Sequence, residues 1–200
     1  MNWELLADGT LHIFGEGPMY DYVKSDPELQ SPWYKYRKEP YISDDGLTVL
    51  NSDGSKYMSV SACYSDNPNG WYISNIIIDE GVTYIGNWAF YRVCVDSITI
   101  PEGVKEMGHF CIRYSPTLQY VNLPDSLILM DDFAISRNIK LKSINFGNSL
   151  ETIGLAAFTG NPSMTKLILP DSVTSIHEKL SSGYLPDHLN DEIGTGRGTV

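Results

Sequence analysis

Apolar residues recur with a fixed, long period between residues 76 and 180. One motif is written five times there, with successive copies 22 residues apart once and 23 residues apart thereafter. Aligning the copies produces six columns of apolar or small side chains. The columns are Ile76, Ile98, Val121, Ile144 and Leu167; Ile78, Ile100, Leu123, Phe146 and Leu169; Val82, Val104, Leu127, Leu150 and Val173; Ile85, Met107, Met130, Ile153 and Ile176; Ala89, Cys111, Ala134 and Ala157; and Phe90, Ile112, Ile135 and Phe158. A repeat of this length predicts a solenoid, in which each unit buries its apolar face only by stacking on its neighbours.

Each copy of the motif predicts two short strands and a compact third segment. The opening Ile-x-Ile alternates, which places both apolar side chains on one face of a strand. A turn that often contains proline leads to a second strand, which ends at the fourth column. Gly86, Gly108 and Gly154 follow that strand, which indicates either a tight position or a positive φ. We expect the next residues, about 87–92 in the first copy, to form one or two helical turns, so the predicted fold is mostly β.

The residues before the repeats predict a cap and an insertion. Residues 3–14 alternate around an Ala-Asp-Gly turn, which predicts a β-hairpin that covers the N-terminal end of the stack. We expect Trp33 and Tyr34 to pack against this cap. Turn signatures between residues 41 and 70 predict two or three further short strands. The predicted parts of the chain are an N-terminal cap or leader at 1–40, an inserted hairpin region at 41–75, five repeats at 76–181, and a C-terminal cap or flexible tail at 182–200.

The repeats resemble those of the BspA-type leucine-rich-repeat family. The stretches ITIPEGVKEMG and GVTYIGNWAF carry the resemblance, and WELLADGTLHIFGEGPMYDY followed by SPWYKY is similar to the family's leader. The second and third copies depart from the family's Ala-Phe pair, at residues 110–112 and 133–135. The resemblance implies a right-handed leucine-rich-repeat solenoid and a non-enzymatic module of a surface or secreted protein. It also implies adhesion to host proteins or to other cells.

Charge and composition narrow the choice of partners and compartments. The net charge of −11 argues against nucleic acid and anionic membranes as partners. No apolar run reaches the length of a membrane helix, and MNWELLADG shows no signal peptide. The resemblance implies a secreted or cell-surface protein, whose signal peptide is then not present in this chain, and a cytoplasmic protein is the alternative. The oligomeric state and the redox states of Cys63, Cys94 and Cys111 are left open by the sequence.

Stacking of the coils is expected to bring together one group of side chains that could bind a metal or act as an acid and a base. His109 falls beside Asp131 and Asp132 when adjacent coils are spaced like neighbouring strands. The functional hypothesis is a weak divalent-metal or acid–base site, and with it a hydrolase. The alternative is a solvated turn edge, which is favoured because catalysis also needs a pocket and a third group. We accordingly predict a protein that is not an enzyme and that has no cofactor and no metal.

A break in the outward-facing pattern gives the candidate binding surface. The two residues between the third and fourth columns are largely polar in four copies, whereas the third copy has Ile128 and Leu129. Tyr84 is expected on the same face two coils away, and Tyr120 is a fourth candidate contact. The alternative is that residues 41–70 or the C-terminal tail cover the pair.

The apolar pair and the resemblance together indicate a module that binds a protein or glycan ligand, and the resemblance implies that this ligand lies on another cell or host. The alternative is a structural spacer repeat within a larger surface protein. An aromatic surface formed by tyrosines outside the columns is a further possibility, although packing of those rings under the cap and insertion is favoured.

Overall fold

The computed structural model of the protein describes residues 1–26, 28–36 and 73–177, together with the backbone of two short strands at 41–42 and 49–50. A 3-10 helix spans Tyr34–Tyr36. The described strands are β1 (Asn2–Leu5), β2 (Thr10–Phe14), β3 (Gly17–Pro18), β4 (Tyr41–Ile42), β5 (Val49–Leu50), β6 (Asn75–Ile78), β7 (Val82–Ile85), β8 (Ser97–Thr99), β9 (Glu106–Met107), β10 (Ile112–Arg113), β11 (Tyr120–Asn122), β12 (Leu129–Met130), β13 (Ile135–Ser136), β14 (Ser143–Asn145), β15 (Thr152–Ile153) and β16 (Ser175–Ile176). Among these described residues no helix is long and apolar enough to span a membrane.

Equivalent strands of successive repeats pair in parallel, so the chain forms the predicted leucine-rich-repeat solenoid. β8, β11 and β14 form one sheet, in which Val121 lies between Ile98 and Ile144. The second strands form a six-stranded sheet in the order β3-β7-β9-β12-β15-β16, which we call the second-strand sheet. There Met107 lies between Ile85 and Met130. The columns read from the sequence are therefore the strand register of the solenoid, because residues of one column are direct partners in adjacent coils.

The columns also form the hydrophobic core. The fourth column is fully buried from Ile85 through Ile153, and the fifth and sixth columns are at most 1% exposed. Each fully buried Ile, Leu, Val or Met side chain contributes about 1.5–3 kcal/mol, and a solenoid sums these terms along its axis. Burial is less complete late in the array, where Ile144, Phe146 and Val173 are partly buried and Ile176 is 36% exposed.

The third segment of each repeat is not helical in the described part of the chain, contrary to the expectation for residues 87–92. Trp88, Phe90 and Arg92 donate their N–H groups to carbonyl oxygens of the next coil instead of to their own. In addition, Trp88 and Arg92 have φ values of 58° and 59°. A right-handed helix cannot pass through a left-handed residue, so the chain forms separate turns. The inward positions of Ala89 and Phe90 are as predicted.

The glycines after the second strands serve close approach and not a positive φ. Gly86 and Gly154 lie outside the set of described residues with a left-handed backbone. A Cβ added at Gly154 would lie 2.5 Å from backbone atoms of Asp131 and Asp132 in the preceding coil. A Cβ at Gly86 would overlap the carbonyl oxygen of Tyr20. Of the two alternatives drawn from the sequence, the tight position is therefore confirmed.

The N-terminal residues form a β-hairpin that caps the solenoid, as predicted. β1 and β2 are antiparallel, and β2 continues into the first repeat by pairing in parallel with β6. Leu11 and Ile13 are fully buried and extend the first two columns by one coil. Trp33 is 1% exposed, stacks on Phe90, and donates its indole N–H to the carbonyl oxygen of Ala89 at 2.7 Å. The leader thus covers the apolar end of the first repeat.

Two predictions from the sequence concern regions that lie largely outside the described residues. β4 and β5 pair in antiparallel fashion within the region expected to carry an inserted hairpin. The remainder of that region before residue 73, which includes Cys63, and the predicted C-terminal cap or tail at 182–200 lie outside the described residues.

Cys111 is fully buried, which raises the pKa of its thiol, and its S–H donates to the carbonyl oxygen of Ala134.

Candidate functional site

The outward side of the second-strand sheet carries the apolar pair that the sequence singled out. Leu129 lies between Glu106 and Thr152 in the strand register, and Tyr84 lies opposite Glu106 on its other side. Tyr84 and Leu129 therefore stand in one row, two coils apart, as expected from the spacing. These side chains point outward because their neighbours along each strand, such as Ile85 and Met130, are buried.

A surface cleft of about 410 Å³ opens on this side of the sheet. Tyr84 and Leu129 both line it, with Lys105, Glu106 and Asp131 as its charged members. The side chains of Tyr84 and Leu129 thus form two apolar surfaces. The coil between them carries the oppositely charged Lys105 and Glu106. We call this feature the sheet cleft.

The predicted contact residues differ in their surroundings. Ile128 is 36% exposed and Leu129 is partly buried, so the pair is accessible to solvent. Tyr84 is partly covered by the leader, and its hydroxyl donates to Asp21 Oδ1 at 2.7 Å. Burial, followed by this hydrogen bond to Asp21, raises the pKa of Tyr84 far above its usual range. The tyrosine therefore stays neutral and its ring is fixed at one side of the cleft.

Tyr120 does not join the other three candidates. It lies in β11, where it pairs with Ser97 and Ser143, whereas Leu129 lies in β12 and Ile128 directly precedes that strand. The side chain of Tyr120 is 45% exposed, and the Lys142 ammonium lies 5.7 Å from its ring centroid. Tyr120 begins β11, the first strand of its repeat, and therefore lies on a different sheet. Of the four candidates, Tyr84, Ile128 and Leu129 lie on the same side of the solenoid.

The second candidate, His109 with Asp131 and Asp132, is brought together as the spacing predicted. His109 Nε2 lies 3.0 Å from Asp131 Oδ2, and one ligand atom from each residue fits within 4.8 Å. The carboxylates also serve the backbone, since Asp131 Oδ1 accepts from the Asp132 N–H and Asp132 Oδ1 accepts from the Leu155 N–H. All three side chains are half-exposed at the turn. The arrangement fits a solvated turn edge with structural hydrogen bonds.

A ladder of side-chain oxygens along this edge accounts for its polar residues. Asp21 Oδ1 accepts from the Asn87 N–H at 3.0 Å, and Asn87 Oδ1 accepts from the His109 N–H at 2.6 Å. Asp132 resumes the pattern toward Leu155 at 2.7 Å. His109 offers no carboxylate or amide oxygen, so the Asp132 N–H is satisfied by its neighbour Asp131 instead. Asp21, Asn87 and Asp132 thus each satisfy a backbone donor in the next coil.

A third group of residues was missed by the sequence analysis. Trp88, Phe110 and Phe133 stand at the same offset in successive copies, one residue before the small-residue column. Their rings stack, with centroids 4.4 Å and 5.2 Å apart. The aligned copies contain the signal for this stack, because an aromatic residue recurs at that offset three times.

Comparison with known proteins identifies the repeats. Residues 68–183 match the model of the BspA type leucine-rich repeat region in six copies. None of the curated proteins matches the chain. The structure is similar to that of the pneumococcal vaccine antigen PcpA, with 26% identity and a TM-score of 0.52 over 60% of this chain and 32% of that one.

Two further solved structures are similar at lower identity. A T. pallidum leucine-rich-repeat protein matches at 20% identity and a TM-score of 0.49, over 91% of this chain and 62% of that one. A leucine-rich cell surface protein from Faecalibacterium prausnitzii matches at 13% identity and a TM-score of 0.37, over 65% of this chain and 59% of that one. The chain therefore spans less than two thirds of the length of each of these three solved chains.

Proposed function

The chain belongs to the BspA-type leucine-rich-repeat family, and from this premise we propose that it is a non-enzymatic, adhesion-like module that binds a protein on another cell or host. The proposed contact surface is the sheet cleft together with Ile128. A repeat array offers an extended regular face, and changes on individual coils tune that face for a partner.

One observation carries this proposal. On the outward side of the second-strand sheet the apolar pair Ile128 and Leu129 interrupts a polar pattern, and Leu129 shares a cleft with the fixed ring of Tyr84. Exposed apolar groups that cluster on a polar surface mark contact sites. An apolar centre with a polar rim is also the usual anatomy of a protein interface.

The charges around the cleft indicate the chemistry of the partner. Glu106, Asp131 and Glu151 outnumber Lys105 on this side. Interfaces pair opposite potentials, and the net charge of −11 strengthens the local negative potential. The partner that fits is an apolar side chain flanked by basic residues, and a glycan ligand is the alternative outcome.

Surface or secreted localisation is part of the proposal, with a cytoplasmic protein as its alternative. The similarity to a pneumococcal vaccine antigen supports display outside the cell.

The hydrolase hypothesis at His109, Asp131 and Asp132 is weaker, because the two carboxylates already accept backbone hydrogen bonds. A structural spacer role is the competing function. Measuring whether the chain binds to cells distinguishes a spacer from a binding module.

The test is binding of the purified, fluorescently labelled chain to cultured host cells. The variant Ile128→Lys/Leu129→Glu introduces two charges into the apolar centre of the surface. The matched control is Thr174→Lys/Ser175→Glu, which makes the same change at the equivalent exposed positions of the last described coil. We expect wild type and control to bind saturably and the first variant to lose about tenfold or more in affinity, which corresponds to about 1.4 kcal/mol.

Treating the cells separates the possible ligands. Trypsin treatment should abolish binding to a protein partner, whereas loss only after glycosidase treatment would identify a glycan. Wild-type chain that fails to bind saturably, or equal binding by wild type and both variants, would favour the spacer role.

A further inference from the structure

A second surface lies on the third side of the solenoid, where cations of four successive coils lie over tyrosine rings. Lys24 Nζ, from the leader, is 5.3 Å from the centroid of Tyr91, and Arg92 Cζ is 5.2 Å from the same ring. Arg92, Arg113 and Arg137 then lie 5.9 Å, 4.8 Å and 5.5 Å from the ring of Tyr114. We call the cations and rings together the cation–aromatic face. Its members are Lys24, Arg92, Arg113, Tyr114 and Arg137, together with Tyr91, whose ring is 2% exposed and so supports Lys24 and Arg92 from the protein side.

The stack of Trp88, Phe110 and Phe133 borders this face and fixes its central cation. Arg113 Cζ lies 4.9 Å from the ring of Phe110 and 5.7 Å from the ring of Phe133. Such contacts hold a guanidinium in one plane while leaving its edge available to a ligand. Arg113 is partly buried, so its position is defined by packing while part of it stays accessible.

The surface ends where the side chains become small. The residues that follow Phe133 and Arg137 by one repeat are Ala156 and Gly160. A Cβ added at Gly160 would lie 2.8 Å from Cγ of Arg137. The missing side chain at Gly160 therefore leaves room for Arg137, and the face is confined to the leader and the first three repeats.

The backbone at these residues is unusual for the side chains it carries. Six large side chains occupy left-handed positions, although glycine or asparagine adopts that conformation with less strain. Gly160 has a φ of 73° at one of these equivalent positions, so the fold itself accepts glycine there. The six residues are Trp88, Arg92, Phe110, Tyr114, Phe133 and Arg137. Strained residues that persist together on one surface point to a role for their side chains.

The charge of this face is opposite to that of the chain. Arg92, Arg113 and Arg137 are three of the five arginines in a chain with a net charge of −11. Arg113 donates from Nη1 to Ser136 Oγ at 3.0 Å, and within the described part of the chain no carboxylate pairs with it. Burial lowers the pKa of Arg113, a hydrogen bond and charge interaction with Tyr114 oppose this effect, and the nearby charge of Arg137 adds to it. A bound carboxylate would give the partly buried guanidinium a partner of opposite charge.

We propose that the cation–aromatic face is a second binding surface, separate from the sheet cleft, which takes an acidic segment of a protein partner. Arginine, tyrosine and tryptophan are the residue types that dominate the energetics of protein interfaces. A guanidinium fork matches a carboxylate with two parallel hydrogen bonds. A long polyanion is repelled by the acidic remainder of the chain, whereas a short acidic segment meets mainly the local positive potential. This proposal goes beyond the function assigned to the sheet cleft and does not depend on it.

The test is an NMR titration of the full chain with a blocked hexaglutamate peptide, observed at the Nε–Hε signals of the arginines. We expect saturable shifts at Arg113 and its neighbours, and an affinity that falls as salt is added. Arg113→Gln should reduce the affinity about tenfold. Lys105→Gln, which removes one cation from the sheet cleft, should change it less than about twofold.

Further variants and a glycan probe separate recognition by the guanidinium fork from simple charge attraction. Arg113→Lys keeps the charge without the fork, and it should also weaken binding; full affinity in this variant would contradict the guanidinium geometry. If Arg113→Gln melts at a lower temperature than wild type, Arg137→Gln replaces it as the variant that removes one guanidinium from the face. Equal losses in the Lys105 and Arg113 variants would reduce the effect to diffuse charge attraction and overturn the proposal. Tighter binding of a hexagalacturonate of the same charge would overturn a protein ligand in favour of a glycan.

Discussion

The backbone N–H of Asn138 donates a 2.8 Å hydrogen bond to the side-chain oxygen of Asn161, which holds the equivalent position in the next coil. The Ser115 N–H donates to Asn138 Oδ1 at 2.9 Å in the same way. Asn138 and Asn161 are fully buried, and their amide nitrogens donate to the carbonyl oxygens of Ile112 and Ile135. This buried ladder joins three coils through the core, and a neighbouring coil satisfies each of these donors.

Replacing Asn138 with Leu should destabilise the solenoid. The leucine fills a similar volume, but the Ser115 N–H and the Ile112 carbonyl oxygen each lose a partner in a water-free core. An unsatisfied buried group costs about 1–3 kcal/mol. Urea unfolding followed by circular dichroism measures the loss, with Asn145→Leu at an exposed strand position as the control. Equal midpoints for the two variants would mean that the ladder contributes nothing.

Replacing Leu150 with Asp should unfold the array. Leu150 is 1% exposed in the third column, and an unpaired carboxylate buried there costs several kcal/mol, or about half the stability of a small domain. Because each repeat is stabilised only by its neighbours, one failed coil separates the two ends of the stack. The control is Ile168→Asp at a position that is 60% exposed. A melt of the Leu150 variant within a degree or two of wild type would remove this residue from the core.

The pH dependence of the cap should follow His12. His12 Nδ1 lies 3.0 Å from Glu4 Oε1 and Nε2 lies 3.0 Å from Asp79 Oδ1, so the ring joins the hairpin to the first repeat. These hydrogen bonds, with Glu4 first, raise the pKa of His12. The resulting stabilisation is fully present below the unfolded-state pKa of about 6.5 and is lost as the pH rises through the folded-state pKa.

The variant His12→Gln tests the predicted loss of stability as the pH rises. Wild type should exceed it in melting temperature at pH 5.5, and the difference should shrink by pH 8.5. Exposure keeps the gain at about 1 kcal/mol or less. His177→Gln, at an exposed turn of the last described coil, serves as the control. A difference that grows with pH would contradict the assignment.

The sequence predicted those parts of the fold that repetition determines. Residues of one column had to be strand partners, since stacking is how a repeat buries its apolar face. The helical turns were wrong because Trp88, Phe90 and Arg92 give their N–H groups to the next coil, and periodicity does not reveal the partner of a backbone donor. The arrangement of the candidate contact residues was predicted in part for a similar reason. The outward positions of Ile128, Leu129 and Tyr84 follow from their place between the buried third and fourth columns. The cation–aromatic face instead depends on left-handed residues, whose side-chain directions no simple period describes.

Deleting residues 1–40 should make the chain aggregate. The deletion exposes the free edge of β6, where Ile76 and Ile78 pair with the leader, and it uncovers Phe90. An uncovered strand edge with apolar neighbours templates pairing with other chains. Size-exclusion chromatography with light scattering measures the outcome, and Trp33→Phe in the full chain is the control, since it keeps an aromatic ring over Phe90. A monodisperse 41–200 fragment would show that the leader is not a cap.

The leader is fixed to the first repeat at Gly86, where no side chain fits. Met19 N–H donates to the Tyr84 carbonyl oxygen at 3.1 Å and Tyr22 N–H donates to the Asn87 carbonyl oxygen at 3.0 Å, so the two backbones run side by side. The Cβ of an alanine at position 86 would overlap the Tyr20 carbonyl oxygen between these two bonds. Because both atoms belong to the backbone, the leader has to move outward to relieve the overlap.

We therefore expect Gly86→Ala to destabilise the protein by about 1–3 kcal/mol, the usual range for an overpacked site. It should also speed tryptic cleavage after Lys24, an exposed residue of the leader. Gly17→Ala is the matched control, since Gly17 has a φ of 101° and no atom within 4 Å of an added Cβ. That change strains the backbone by about 1–2 kcal/mol without any steric overlap. Faster cleavage in the Gly86 variant alone would locate the attachment of the leader at this contact, whereas equal cleavage in both variants would argue against it.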